Sequence, residues 1–217
     1  MRSIIAKPCQ ESVLPFLPVF LFALTLHEFA HAWTALQFGD PTAKWAGRVT
    51  LNPLKHLDPL GTLFMFVLHI GWAKPVPVNP ANFTHPRAGL WVSLAGIVAN
   101  LVQAILYAVA WHALRYWMPT ALQGRGYVSM LLLLGVMVNL SLALFNVLPL
   151  FPLDGPHIVE HVLPRRHAYR FSLWSQRYGA TILLGLLVLG YVSTTAPLSL
   201  LIEVPRNVLT HWLLNGF

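Results

Sequence analysis

The sequence predicts an all-α polytopic membrane protein, and three observations carry that prediction. Of 217 residues, 56% are hydrophobic and only 10% charged, whereas a soluble domain is about 25% charged. The mean hydropathy is +0.62. The apolar residues fall in long runs, several of a length suited to a helix crossing the roughly 30 Å hydrocarbon core. The architecture expected is about 5–6 membrane segments. It has a three-helix core and a re-entrant or β-like element between the first two core helices. Residues 1–217 form a single integral-membrane domain, because no polar insertion is long enough to fold as a second one.

The basic balance, 14 Lys+Arg against 7 Asp+Glu, does not call for nucleic acid. In membrane proteins such an excess collects in cytoplasmic loops. The one cysteine, Cys9, excludes an intrachain disulfide and a Cys-based metal site.

The first long element is a helix over Val13–Phe38. Arg2 and Lys7 before it, and Ala30-His31-Ala32 within it, imitate a signal peptide and its cleavage site. The apolar run is too long for that and contains Glu28. Gly39-Asp40-Pro41 is a stop signal. Lys44–Leu51 is polar and β-leaning, which predicts a short strand or hairpin ended by Asn52-Pro53. Leu60–Trp72 is short for a span, and the proline-rich Gly71–Pro80 that follows favours extended backbone. Together they predict a re-entrant or interfacial element, since irregular backbone at membrane depth must be buried in protein or line a watery cavity.

Two further helices follow, over Ala88–Leu114 and Tyr127–Leu148. The first carries Ser93, Gly96 and Ala99, small residues that permit close helix packing. It also carries Asn100, which at mid-membrane must face the bundle, either as an interhelical structural hydrogen bond or in a functional role. Pro149 and Pro152 unwind the end of the second helix and leave Asp154 on irregular backbone beside Gly155. The plainer reading of Asp154 is an N-cap. Glu160–Tyr178 is a polar segment. Gly179–Ser193 is a helix. Leu198–Leu214, broken by Glu203, Pro205 and Arg206, is a kinked span or lies at the interface.

The motif that organises the chain is His27-Glu28-Phe29-Ala30-His31. On a helix, positions i and i+4 share a face, so both imidazoles can reach one metal ion. Glu28 is rotated by about 100°, placing it beside the metal as a base. The plain alternative is a pair of buried histidines with a glutamate, but three ionisable groups within a membrane segment are costly and usually functional. A catalytic zinc takes three protein ligands and a water. Among the remaining acids, Asp154 alone sits on a distorted membrane-helix end and is nominated as the third ligand. The nomination requires the first and third core helices to run parallel and the middle one to oppose them. The loops on the metal side then hold nine Lys and Arg (Lys44–Arg87 and Arg165–Arg177), against Arg2, Lys7, Arg115 and Arg125. This points the site toward the cytoplasm.

These motifs resemble the site-2 protease family of intramembrane zinc metalloproteases. The likeness runs from the H-E-x-x-H helix through Asn52-Pro53, Gly71–Pro80 and Ser93–Asn100 to Asn146–Gly155. It is greatest to the small prokaryotic branch without PDZ or CBS domains. The resemblance implies one Zn2+ per chain on His27, His31 and Asp154, with Glu28 as the catalytic acid/base and Asn146 near the substrate or oxyanion. It implies a membrane-anchored protein substrate cut in or near its transmembrane segment, in regulated intramembrane proteolysis at a prokaryotic inner membrane. The family's usual Asp-Gly-Gly-Arg is here Asp154-Gly155-Pro156-His157, and Phe151 replaces a commoner small residue or proline. The reading from another class is a non-proteolytic metal-binding membrane protein, either a transporter or an inactive protease-like chaperone. A transporter would carry more intramembrane carboxylates or histidines along a path than His69 and His112 near segment ends. An inactive relative would lack Glu28 or a ligand, and none is missing.

Overall fold

A computed structural model describes residues 9–62, 72–122, 126–192 and 197–216. Seven α-helices are defined there: α1 (Cys9–Gln37), α2 (Thr42–Trp45), α3 (Ala88–Trp117), α4 (Tyr127–Val147), α5 (Gly155–Val162), α6 (Arg165–Val192) and α7 (Pro197–Asn215). Residues 59–62 are also helical, at the edge of the undescribed stretch 63–71. Among the described residues, three segments are long and apolar enough to cross a membrane: Pro15–Gln37, Ala88–Trp117 and Tyr127–Val147. These are the three core helices expected from the sequence.

Their directions follow from which residues meet. Between α1 and α3, His27 pairs with Asn100 and His31 with Val92, so rising numbers meet falling ones and the helices are antiparallel. Between α3 and α4, Asn100 pairs with Asn139 and Tyr107 packs on Gly135, again antiparallel. Helices α1 and α4 therefore run parallel, as a shared site at His27, His31 and Asp154 demands.

The bundle is polar inside and apolar outside. Thr25, His27, Glu28, His31, Ser93, Asn100, Gln103 and Asn139 are buried, while Phe22, Trp33, Val98, Leu101, Ile105, Leu106 and Val109 are exposed. A soluble fold does the reverse. The outward apolar face suits lipid, and the inward polar groups must find partners within the protein. Ala104, Ala108, Val136, Leu140 and Leu214 form a compact apolar cluster that seats the end of α7 against α3 and α4. Close by, His112 Nε2 lies 2.8 Å from the Leu213 carbonyl, which fits a structural role for that histidine.

The end of α1 is set by Gly39. It has φ 93°, which an L side chain rarely adopts. Gly39 N–H donates to Leu36 and Asp40 N–H to Ala35, the paired closure of a Schellman motif. The following loop is organised by Asp40, which is fully buried. Its carboxylate accepts from the Thr42 and Asn79 backbone N–H groups and from the Asn82 amide. Burial raises its pKa, but the donors from Thr42, Asn82 and Asn79 outweigh that and hold it below the ordinary carboxylate value.

Three expectations change here. Lys44–Leu51 is not a strand: it begins within α2, a single helical turn closed by Gly47 at φ 65°. Arg48 N–H donates to Ala43 and Gly47 N–H to Lys44, a second Schellman closure. β-leaning residues yield to a left-handed glycine where no neighbouring strand offers a ladder. The β-like element shrinks, among the described residues, to one isolated antiparallel bridge between Leu57 and Ala73. The core of the expected re-entrant element, 63–71, lies outside the described residues. The helix expected over Gly179–Ser193 begins earlier, at Arg165, so most of the polar segment Glu160–Tyr178 belongs to the 28-residue helix α6.

Candidate metal centre

His27 and His31 lie one turn apart on α1, with 6% and 8% of their surface exposed. Their rings meet edge to face, 84° between planes, so both Nε2 atoms point to one spot. The outer nitrogen of each ring is held by α3. His31 Nδ1 lies 2.7 Å from the Val92 carbonyl oxygen. A carbonyl can only accept, so Nδ1 carries the hydrogen and Nε2 keeps its lone pair. His27 Nδ1 lies 2.6 Å from Asn100 Oδ1, which calls for the same tautomer. Metal-binding imidazoles are commonly oriented this way.

Asp154 arrives because α4 stops at Val147 and the chain turns through Pro149 and Pro152 before α5. It occupies the N-cap position of α5, yet its side chain caps nothing there. Instead Oδ2 lies 3.3 Å from Nε2 of each histidine. That oxygen is buried and accepts no hydrogen bond among the described residues. The N-cap reading therefore describes its backbone only.

Three lone-pair atoms thus converge, with 3.0 Å between the two Nε2 atoms and 3.3 Å from each to Oδ2. They repel unless positive charge lies among them. Tetrahedral zinc at about 2.0–2.1 Å from its ligands sets ligand–ligand edges of about 3.3 Å. The observed triangle and its donor set, two imidazoles and a carboxylate, fit that ion. Gly96 provides the room. A Cβ there would lie 2.4 Å from His31 Nε2 and 2.7 Å from His27 Nε2, so any side chain would displace the rings.

Glu28 is buried beside this group on α1. Arg48, 4% exposed, donates its guanidinium to the Lys74 carbonyl. Burial pushes the Arg48 pKa down while the nearby Glu28 charge holds it up. The two side chains are thus within electrostatic reach of each other. Asn146 is half-buried and donates to the Leu142 carbonyl of its own helix at 3.0 Å; it is not one of the converging three.

Sequence reasoning passed over two residues. Arg48 was only a loop charge, and nothing local marks it as buried. Asn139 was not singled out, although the logic applied to Asn100 also covers it: an amide amid an apolar helix must find a partner. It is fully buried and hydrogen-bonded to Asn100.

The chain is similar to known proteins. The model for peptidase family M50 matches residues 118–190. The chain is 46% identical over 158 residues to the "Putative zinc metalloprotease YwhC" of Bacillus subtilis (strain 168), covering 70% of this chain and 71% of that protein. It is 34% identical over 175 residues to the "Putative zinc metalloprotease Rip2" of Mycolicibacterium smegmatis (strain ATCC 700084 / mc(2)155), covering 78% of this chain and 64% of that protein. To the "Putative zinc metalloprotease Rip3" of Mycobacterium tuberculosis (strain ATCC 25618 / H37Rv) it is 30% identical over 184 residues, covering 82% of this chain and 39% of that protein. The chain thus spans less than two thirds of the two mycobacterial relatives. No solved structure matches it. The family model and the 46% identical relative show that the chain belongs to peptidase family M50, the site-2 protease family of membrane zinc metalloproteases.

Proposed function

We propose that this protein is an intramembrane zinc endopeptidase that hydrolyses peptide bonds in or near the transmembrane segments of membrane-anchored proteins, as in regulated intramembrane proteolysis. The observation that carries the reading is the convergence of His27, His31 and Asp154, with Glu28 beside them, inside a bundle whose outer face is apolar. His27, His31 and Asp154 hold one zinc ion, which supplies a Lewis acid that acidifies water toward neutrality and polarises a carbonyl.

Glu28 takes the proton of the attacking water and later delivers it to the leaving amine nitrogen. Its burial keeps that proton from bulk solvent. Asn146 gives one amide hydrogen to Leu142 and has a second for the oxyanion that develops on the substrate. A helical substrate has its backbone groups paired and must unwind locally before attack. The Asp154 side chain, 19% exposed, supports access for water from the loop side. The excess of Lys and Arg in the loops on that side supports a prokaryotic cell membrane orientation with the site nearer the cytoplasm.

The test is Glu28→Gln, assayed on a membrane-anchored reporter. The variant is expected to retain zinc and lose cleavage. Zinc retained with cleavage unchanged rejects Glu28 as the base. Zinc bound by a wild-type protein that cuts no membrane reporter favours a metal-binding protein without protease activity.

A further inference from the structure

We propose that Asn139, on α4, is a positioning residue that acts through Asn100 to keep the ring hydrogen of His27 on Nδ1, so that the Nε2 facing the metal site keeps its lone pair. The inference rests on the zinc reading above.

Hydrogen-bond polarity sets the orientation of each amide in turn. Asn139 Nδ2 lies 2.8 Å from the Gly135 carbonyl oxygen. That oxygen can only accept, so the NH2 end of Asn139 must face it and Oδ1 must face the other way. Oδ1 meets Asn100 Nδ2 at 2.9 Å. Asn100 therefore turns its NH2 end to Asn139, with the Ala23 carbonyl 3.5 Å away on the same side. Its Oδ1 is left for His27 Nδ1, at 2.6 Å. An oxygen there obliges Nδ1 to carry the hydrogen and leaves Nε2 with a lone pair for the metal. The direction of one backbone carbonyl on α4 is thus passed across α3 to a ring on α1.

The relay is needed at His27 and not at His31. His31 Nδ1 meets a backbone carbonyl directly, which cannot present the wrong end. His27 meets an amide, whose two ends are nearly the same size. Reversed, Asn100 would offer N–H to Nδ1 and send the ring hydrogen to Nε2, into the metal site. The reversal also sets the Asn100 and Asn139 oxygens against each other, and with both residues fully buried no water relieves that contact. The plainer role, polar glue between two membrane helices, predicts a loss of stability when Asn139 changes. It predicts no change in the zinc affinity of the protein that remains folded.

The experiment measures zinc affinity by chelator competition on the purified full chain in detergent, with the absorption of the Co2+-loaded protein as a second readout. Asn139→Leu is expected to weaken zinc binding about tenfold and to perturb the Co2+ bands, within the 10–100-fold range for partners of metal ligands. Asn100→Asp keeps an acceptor for His27 whichever oxygen it turns, while its other oxygen opposes Asn139 Oδ1. In that background, adding Asn139→Leu removes the opposing oxygen and is expected to cause no loss of affinity. Gln103→Leu, which removes a buried amide on α3 with no hydrogen-bond partner among the described residues, is the control for general disturbance and should leave affinity unchanged. Equal losses from Asn139→Leu in the wild-type and Asn100→Asp backgrounds would overturn the relay. So would an unchanged affinity for Asn139→Leu in a folded protein. A wild-type chain that binds no zinc overturns the zinc reading itself.

Discussion

Gly96 of α3 lies directly under the His31 ring: a Cβ at Gly96 would sit 2.4 Å from His31 Nε2. The metal triangle therefore depends on a residue that offers it no atom. Gly96→Ala is expected to lower zinc affinity and reporter cleavage by 100-fold or more, a loss on the order of 3 kcal/mol at about 1.4 kcal/mol per tenfold. Helix content should be unchanged or slightly raised, since Ala favours helix over Gly by about 1 kcal/mol. Circular dichroism and zinc content measured on one preparation separate the two effects. An active, zinc-loaded Gly96→Ala protein would show that the rings stand elsewhere.

Gly155 plays the matching part beside Asp154. A Cβ at Gly155 would meet the carbonyl oxygens of Leu148 at 2.2 Å and Val147 at 2.3 Å. Backbone at a helix end cannot retreat as a flexible side chain can, so Gly155→Ala should shift Asp154. The expected outcome is a stability loss of about 1–3 kcal/mol together with weakened zinc binding. Asp154→Asn, which keeps the size but loses the charge, should weaken zinc and lose only the stability that zinc adds, so its metal-free Tm should match that of the metal-free wild type. Thermal unfolding in detergent and chelator competition distinguish them.

Metal removal should destabilise the wild-type chain. A ligand that binds only the folded state at 100 times its Kd adds about 2.7 kcal/mol. Chelation is expected to lower Tm, and added zinc to restore it together with cleavage. His31→Ala, with one ligand gone, should show a Tm indifferent to zinc. A zinc-dependent Tm in that variant would mean that the ion binds elsewhere.

Asp40 makes a pH-dependent contribution. Its folded pKa is depressed, burial opposing and the donors from Thr42, Asn82 and Asn79 prevailing. A depressed carboxylate stabilises the fold above its unfolded pKa and loses that contribution as pH falls through the folded value. The contribution is thus complete above about pH 4 and fades below it. Asp40→Asn should flatten the acid side of the Tm-against-pH curve relative to wild type. Asp40→Ala should cost about 2–3 kcal/mol at neutral pH, because buried donors lose their acceptor. Identical acid limbs for wild type and Asp40→Asn would show that the carboxylate carries no such linkage.

Much of the site was legible from local pattern. The pairing of His27 with His31 needs only the 3.6-residue period of one helix. The end of α1 needs only Gly39 before a polar residue and a proline. Asp154 stood out as an acid just past a proline-broken membrane helix. Lys44–Leu51 misled because strand propensity depends on a neighbour to pair with, and Gly47 closes a helical turn before any ladder can begin.

Local pattern suffices for the membrane class, the three apolar core helices, the H-E-x-x-H face and the candidate third ligand. Each is written in periodicity, composition or a turn signal spanning a few residues. It takes the packed bundle to turn Asp154 away from capping α5, to make Gly96 the floor of the site, to bury Arg48 near Glu28, and to set Asn139 and Asn100 behind His27. The reason is physical. The bond between His27 and Asn100 joins residues 73 positions apart, and that between Asn100 and Asn139 spans 39. Such bonds depend on how three helices rotate against one another, and no local period records that rotation.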